Sequence, residues 1–393
     1  MESPSPNLQR ALTFWPLVFY GLSEIVGAGI YVAIGQVVTR AGEAAPVAFL
    51  VAGIAAALTG LCYAELSSRF PDAAGAAAYI KHVFGSDRLA QAVGGIMALA
   101  VAITAAAIAN GAVQYLALLI HAPASVLTTV IILGFSGVAI IGVRESVGLA
   151  ALLGVIELGG LIAAIVAGFL DAPDLHVDGI VPLDLAAWRG VAAGAFIAFF
   201  AFLGFETLAN MAEEVKEARR VVPRAILTAI AISIALYILV ALAVTVADRA
   251  GANPLLDLFE GRNATIFAAA GGMAIVNGVL VGVVMLSRLF YGMARNGQLP
   301  AVVGAVSARR RTPTVATLLA GGLILVTALA VPFGSLLVWT NALTLIVFVA
   351  VDLALWRLQH GAKAAHDGFR APRWVPPLAA LLSLGLMAAE LLG

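Results

Sequence analysis

The sequence predicts an all-α integral membrane protein with about 11 transmembrane helices: two inverted halves of five, each opening on a broken helix, and one helix after them. Three observations predict it. Of 393 residues, 62% are hydrophobic and 11% charged, and the mean hydropathy is +1.04, whereas the apolar share of a soluble globule is nearer one half. Apolar runs recur along the chain at about the 20-residue length that crosses a bilayer. The first run also carries its own means of breaking. Between Gly21 and Gly35, the residues Gly27 and Gly29 flank one alanine, and two glycines cost a helix interior on the order of 2 kcal/mol relative to alanine.

Unwound backbone is tolerated at membrane depth only where protein or a water-filled cavity satisfies its freed N–H and C=O groups. The break therefore predicts a cavity, and broken helices of this kind mark the substrate sites of secondary transporters. A glycine-rich packing face is the alternative.

In chain order, the apolar runs lie at 13–39, 46–66, 89–120, 125–143, 147–170, 189–211, 225–247, 264–294, 314–332, 335–357 and 375–392. The longer third and eighth runs must tilt or extend beyond the bilayer. With the N-terminus inside, only Arg40, Arg189, Arg249 and Arg262 fall outside, which leaves eighteen Lys and Arg on the cytoplasmic face, among them Lys216, Arg219, Arg220, Arg224 and the run Arg309 to Arg311. That asymmetry sets the orientation and places the C-terminus outside. The polar start MESPSPNLQR lacks the basic n-region and short apolar core of a cleaved signal, so the first span is expected to persist in the membrane. The organisation expected is a cytoplasmic tail over 1–12, a first repeat over 13–170, an extracytoplasmic loop over 171–188, a second repeat over 189–358, and a cytoplasmic loop with the last span over 359–393.

The two five-span segments have similar lengths, and an odd number of spans inverts the second against the first. Span 6 should then be broken like span 1. It reads AFIAFFAFLGFETLANMAEEV, and Gly204, followed by Phe205 and Glu206, is its one plausible break.

The residues also resemble a known family. GAGIY in span 1, AELSSRFPDAAGAAAYIKHVFG after span 2, GVRES before span 5, FFAFLGFET with AEEVKEARRVVPRAI around span 6, and SRLFYGMARNGQLP after span 8 are similar to motifs of the amino acid, polyamine and organocation permease superfamily. The resemblance covers about residues 13–360. It implies the five-plus-five inverted repeat and the movement of amino acids or amines by alternating access, often coupled to protons. The chain departs from many relatives by having eleven spans in place of twelve.

Three acids lie inside spans: Glu24, Glu157 and Glu206. An ionised carboxylate there costs about 2.5–3.5 kcal/mol on insertion scales, and no lysine or arginine lies at comparable depth. Each acid is therefore protonated, hydrogen-bonded, or waiting for a cation outside the chain, either a proton or an amine. By resemblance, Glu206 stands where the family has an acid bracing the unwound part of span 6. Glu24, three residues before Gly27, is a candidate contact for substrate or ion. Glu157, fifteen residues after Gly142, stands where many proton-coupled relatives have a lysine whose amine replaces a sodium ion. It reverses that charge and is the candidate coupling residue; a permanently protonated glutamate hydrogen-bonded across helices is the competing reading. Sodium coupling is disfavoured, because the middle of span 8 has no Ser or Thr and only Asn277 as a polar side chain.

For an α-amino acid, the carboxylate is expected on the backbone amides of Gly27, Ala28, Gly29 and Ile30, at the start of a half-helix. The ammonium is expected, by resemblance, on the carbonyls of Phe200 and Leu203 beside Gly204. Phe200 is also the expected aromatic gate, with core packing as its alternative. A polyamine would use Glu24 and Glu206 instead. Asn110, Gln114 and Asn341 are further candidates for the path. Glu65 with Arg69 reads as an interfacial i,i+4 pair, and Asp352 near Arg357 as structural. The five histidines show no metal-ligand spacing, the single Cys62 excludes an internal disulfide, and nothing resembles a nucleotide-binding loop. No cofactor is expected, and the neutral net charge indicates no nucleic-acid partner. Without a catalytic cluster or soluble output domain, an enzyme or a membrane sensor is the weaker reading. The partners expected are an amino acid or amine, protons and the lipid bilayer of the cell inner membrane.

Overall fold

The computed structural model describes residues 12–71, 75–141, 143–172, 180–212, 215–249, 251, 253–295, 299–307, 312–361 and 367–392. Gly142, the run 309–311 and the tail before residue 12 lie outside them. The helices are α1 (Phe14–Ile25), α2 (Ala28–Ala41), α3 (Ala45–Arg69), α4 (Gly75–Phe84), α5 (Asp87–Leu116), α6 (Ala124–Ile141), α7 (Val143–Asp171), α8 (Leu185–Ala198), α9 (Thr207–Asn210), α10 (Ala218–Val246), α11 (Gly261–Arg295), α12 (Thr314–Ala330), α13 (Phe333–His360) and α14 (Val375–Leu392). Each of the eleven apolar runs coincides with helix. Among the described residues, eight helical stretches are long and apolar enough to cross a membrane, and Thr314–Ala330 and Val375–Leu391 are shorter apolar helices.

Local signals set the ends. Ser86 caps α5 by accepting from the Leu89 amide at 3.3 Å, and Asp184 caps α8 by accepting from the Ala187 amide at 2.7 Å, as expected of these residue types. Helix α10 starts seven residues before the predicted run and carries Pro223 inside it; the Arg219 carbonyl that the missing N–H would have served accepts from Ser68 at 2.8 Å instead.

The packing repeats between the halves. Helix α3 packs on α10, α5 on α11, and α2 on α8; these pair the second, third and first elements of one half with their counterparts in the other. Exchanging the halves also maps α1 on α10 to α8 on α3, and α12 on α5 to α6 on α11. Glycines allow the closest pairs, as in membrane bundles without a hydrophobic drive between helices. A Cβ on Gly60 would lie 2.4 Å from Ile230, and one on Gly282 would lie 2.7 Å from Ala105.

Polar contacts sort the chain into two ends. At one, the Lys216 amide donates to Leu12 at 2.9 Å, and Ser68 donates to the Arg219 carbonyl at 2.8 Å. Glu65 there accepts from Arg69 at 2.8 Å, from Gln359 at 2.7 Å and from the Ala371 amide at 2.8 Å. At the other end, Arg40 pairs with Glu390, and Arg249 with Asp171 at 2.5 Å. This is the alternation that eleven consecutive crossings require. The Glu65–Arg69 pair is buried, at 0% and 6% exposure, and with Gln359 and Ala371 it ties α3 to α13 and to the segment before α14. All five tryptophans are exposed, as membrane-interface residues should be.

Candidate functional site

Helix α1 stops where the Val26 amide makes its last bond, 2.7 Å to the Leu22 carbonyl. Gly27 then begins α2 with φ −40° and ψ −148°, and no side chain caps that N-terminus. The second break is longer. After α8 comes one 3-10 turn, Phe199–Phe202, then an extended Leu203 and Gly204 at φ +119°, a conformation that favours glycine. The Glu206 carboxylate folds back to accept from the Gly204 amide at 2.9 Å.

The breaks press against each other. A Cβ on Gly204 would lie 2.9 Å from the Glu24 carbonyl, and one on Gly29 would lie 2.7 Å from the Ala201 Cα. Gly29 therefore serves the approach of span 1 to span 6 as well as the cavity. From α10, the Tyr237 hydroxyl lies 2.5 Å from the Ile25 carbonyl and 2.7 Å from the Ala201 carbonyl, so one side chain meets freed groups of both breaks. The Phe200 carbonyl already accepts from the Leu203 amide at 3.3 Å. Leu203, without a backbone donor among the described residues, is the better acceptor for an incoming ammonium.

A cavity of about 100 Å³ opens between the breaks, room for several waters or a small ligand. Of the expected residues, Glu24, Gly27, Ala28, Gly29, Phe200, Leu203, Gly204 and Glu206 line it, and no basic side chain does. Ile30 and Glu157 do not line it. The Ile30 side chain is fully buried, which leaves only its amide for the expected role. Phe200 faces the cavity, whereas Phe199 packs on Phe348 with ring centres 5.9 Å apart and Phe202 packs on Tyr237 at 4.9 Å. Asn277 lines it as well. The sequence reading did not single out Ser23, Thr104, Thr207, Met285 or Thr344, which also line it. Hydroxyls in otherwise apolar spans were the available signal.

Glu157 sits behind the first break. It is 1% exposed, and among the described residues neither carboxylate oxygen has a hydrogen-bond partner. Gly154 and Gly160 on either side of it let Ser23 and Tyr31 of span 1 pack on α7, and the Tyr31 hydroxyl donates to the Glu157 carbonyl at 2.7 Å. The point a Gly27 Cβ would occupy lies 3.0 Å from the Ser23 carbonyl oxygen, 3.3 Å from the Glu24 carbonyl oxygen and 3.6 Å from Glu157 Oε1. Neither carbonyl accepts a backbone bond across the break among the described residues. Two carbonyls and Glu157 Oε1 thus crowd the Gly27 backbone at the C-terminal, electronegative end of α1.

Other candidates prove to be braces. Asn110 donates to the Ala328 carbonyl at 2.9 Å and accepts from Thr128 at 3.1 Å, and Asn341 donates to the Phe196 carbonyl at 2.6 Å. None of Asn110, Gln114 and Asn341 lines the cavity. Asp352 accepts from Thr59 at 3.2 Å, while Arg357 stacks over Phe84 at 5.2 Å; the two do not pair.

The chain is similar to the methylthioribose transporter of Bacillus subtilis, with 28% identity over 98% of this chain and 88% of that protein. It is 30% identical to cationic amino acid transporter 4 of Homo sapiens over 92% of this chain, and 28% identical to the mitochondrial cationic amino acid transporter 3 of Arabidopsis thaliana over 89%. It spans 62% of the length of each of these two cationic amino acid transporters. These relatives are transporters, not enzymes. Residues 12–392 match the amino acid permease family, and the chain belongs to that family.

Proposed function

We propose that the protein is a secondary active transporter that moves amino acids with a cationic side chain across the cytoplasmic membrane by alternating access coupled to protons. One observation carries the substrate class: the cavity between the breaks is lined by two acids, Glu24 and Glu206, and by no basic side chain. The carboxylate is assigned to the uncapped amides of α2 at Gly27 to Ile30, where the half-helix dipole contributes about half a positive charge. The ammonium goes to the Leu203 carbonyl and the second lone pair of the Phe200 carbonyl. The side-chain charge goes to Glu24, and Phe200 closes over the ligand as gate. Glu157 binds and releases the coupling proton; that its carboxylate has no hydrogen-bond partner among the described residues supports this role. The repeats are assigned to 13–170 and 189–358, with the N-terminus inside the cell and the C-terminus outside. The names of two relatives, cationic amino acid transporters, agree with the charge of the cavity.

The test uses proteoliposomes and labelled L-arginine, L-lysine, L-leucine, agmatine and putrescine, with and without a pH gradient. Arginine and lysine uptake is expected to follow the gradient, with agmatine, arginine without its carboxylate, competing at least tenfold more weakly than arginine. Equal competition would replace the amide pocket by an amine site built on Glu24 and Glu206. Glu157→Gln should keep arginine exchange while losing accumulation driven by the pH gradient. Unchanged accumulation in that variant removes Glu157 from coupling.

A further inference from the structure

Glu157 of α7 touches span 1 at two points, one helical turn apart. At the first, its Oε1 lies 3.6 Å from the point that a Cβ on Gly27 would occupy. At the second, its main-chain carbonyl accepts from the Tyr31 hydroxyl at 2.7 Å. Gly27, where α2 begins, and Tyr31 are spaced i,i+4 and so lie one above the other on the same face. The amides of Gly27 to Ile30, assigned above to the substrate carboxylate, fall between them. One residue of α7 therefore brackets the turn of α2 that no side chain caps.

Packing alone does not explain the Tyr31 hydroxyl. The ring is held without it, its centre 6.0 Å from that of Tyr115 and 6.2 Å from that of Phe267, and phenylalanine would fill the same space. The carbonyl it serves lies inside α7, where the helix itself supplies a donor. The bond is thus a tie between two elements, and it depends on a glycine: a Cβ on Gly160 would lie 2.4 Å from the Tyr31 hydroxyl oxygen, so any larger side chain there displaces the hydroxyl. The Tyr115 hydroxyl donates to the Tyr31 carbonyl at 3.3 Å and secures the same residue from α5. Tyr31 thereby sets how near the first turn of α2 stands to the Glu157 carboxylate.

We propose that Tyr31 is a positioning residue that holds the α2 amides in register with Glu157, so that the substrate carboxylate and an ionised Glu157 carboxylate oppose each other at Gly27. Like charges held this close disfavour each other by about tenfold or more. A substrate with a carboxylate therefore binds the protein whose Glu157 carries its proton, and by linkage it favours that proton in equal measure, so the two enter together. The titratable groups around Glu157 are Glu24 of α1, Tyr31 of α2 and Tyr237 of α10, whose hydroxyl meets the Ile25 carbonyl. The other helices packed on α7 are α6 and α11; α6 and the stretch of α11 from Asn263 to Ser287 carry none. Glu24 acts in the opposite sense, because its ionised form attracts the cationic end of the substrate, but it does so whether or not the ligand has a carboxylate. The inference rests on the coupling role of Glu157 and the amide pocket proposed above; the Tyr31 hydrogen bond does not.

The test measures binding of L-arginine and agmatine to the full chain in nanodiscs at mildly acid and mildly alkaline pH. The two ligands differ by the carboxylate, so the ratio of their dissociation constants cancels what Glu24 does to both. In the wild type the preference for arginine should grow about tenfold toward acid pH. Glu157→Gln should hold the acid-side preference at both pH values. Tyr31→Phe, which keeps the ring contacts and loses only the hydrogen bond, should change its preference by no more than about threefold, and Gly160→Ala, which drives the hydroxyl off the carbonyl, should do the same. A wild-type pH response in Tyr31→Phe overturns the positioning role and leaves that of Glu157 standing. An equal loss of preference at both pH values reduces Tyr31 to a structural residue and overturns it too. A Glu157→Gln preference that still follows pH removes Glu157 from coupling, and the inference falls with that reading. A wild-type preference that does not respond to pH overturns the linkage itself, whatever gradient-driven uptake shows. If Tyr31→Phe does not fold, Gly160→Ala decides by the same readings.

Discussion

At the scale of single residues, Tyr237 does what neither glycine break can do for itself. Its one proton serves carbonyls of both breaks, at 2.5 Å from Ile25 and 2.7 Å from Ala201, so the hydroxyl fixes their separation. Removing it takes away the one donor these carbonyls share, at about 1–3 kcal/mol. Tyr237→Phe should therefore lower the apparent Tm in detergent and weaken arginine binding. A variant as stable as wild type would show that water replaces the hydroxyl. Sequence reasoning reaches Glu24, Gly27, Gly204 and Glu206 because an acid or a glycine inside an apolar run stands out against it. Tyr237, Met285 and Thr344 do not stand out. A span that is apolar all round gives no sign of which stripe turns inward, and Asn110 and Asn341, singled out as polar, brace backbone carbonyls instead.

At the scale of elements, the half-helix α2 matters more than its residues. It starts at Gly27 with no cap, so its first amides stay free for an anion at a point where the dipole favours one. Its position depends on Gly29. A Cβ there would meet Ala201 backbone at 2.7 Å, and backbone does not yield as a flexible side chain does. Gly29→Val should then lose binding together with stability, because the breaks are forced apart; a variant that melts like wild type but no longer binds would mean that the valine excludes only the ligand. All eleven spans and both breaks were legible as apolar runs and misplaced glycines. Helix α4 was not: its ten residues are too short to cross, and their apolar face is buried by α5 and α13, a tertiary fact with no local signature.

At the scale of the whole molecule, under the alternating access proposed above the ties at each end decide which conformation is held. At the end where α3 meets α13, the Glu65 carboxylate joins Arg69, Gln359 and the Ala371 amide, and neither charge of its ion pair reaches solvent appreciably. Breaking such a pair from one side leaves a buried charge, typically at about 3–5 kcal/mol. The alternating access proposed above opens this end, so Glu65→Gln should bias the protein toward the opened state rather than simply weaken it. The chain carries its own reporter: its single cysteine, Cys62, is fully buried on α3 one turn before Glu65 and reacts with a maleimide only when α3 and α13 part. A bias of about 1.4 kcal/mol appears as tenfold faster labelling, and the apparent Tm, measured alongside, separates local opening from unfolding. Faster Cys62 labelling at a nearly unchanged Tm is the expected result. Unchanged labelling would mean that the Glu65 cluster moves as a rigid unit and that this end opens elsewhere.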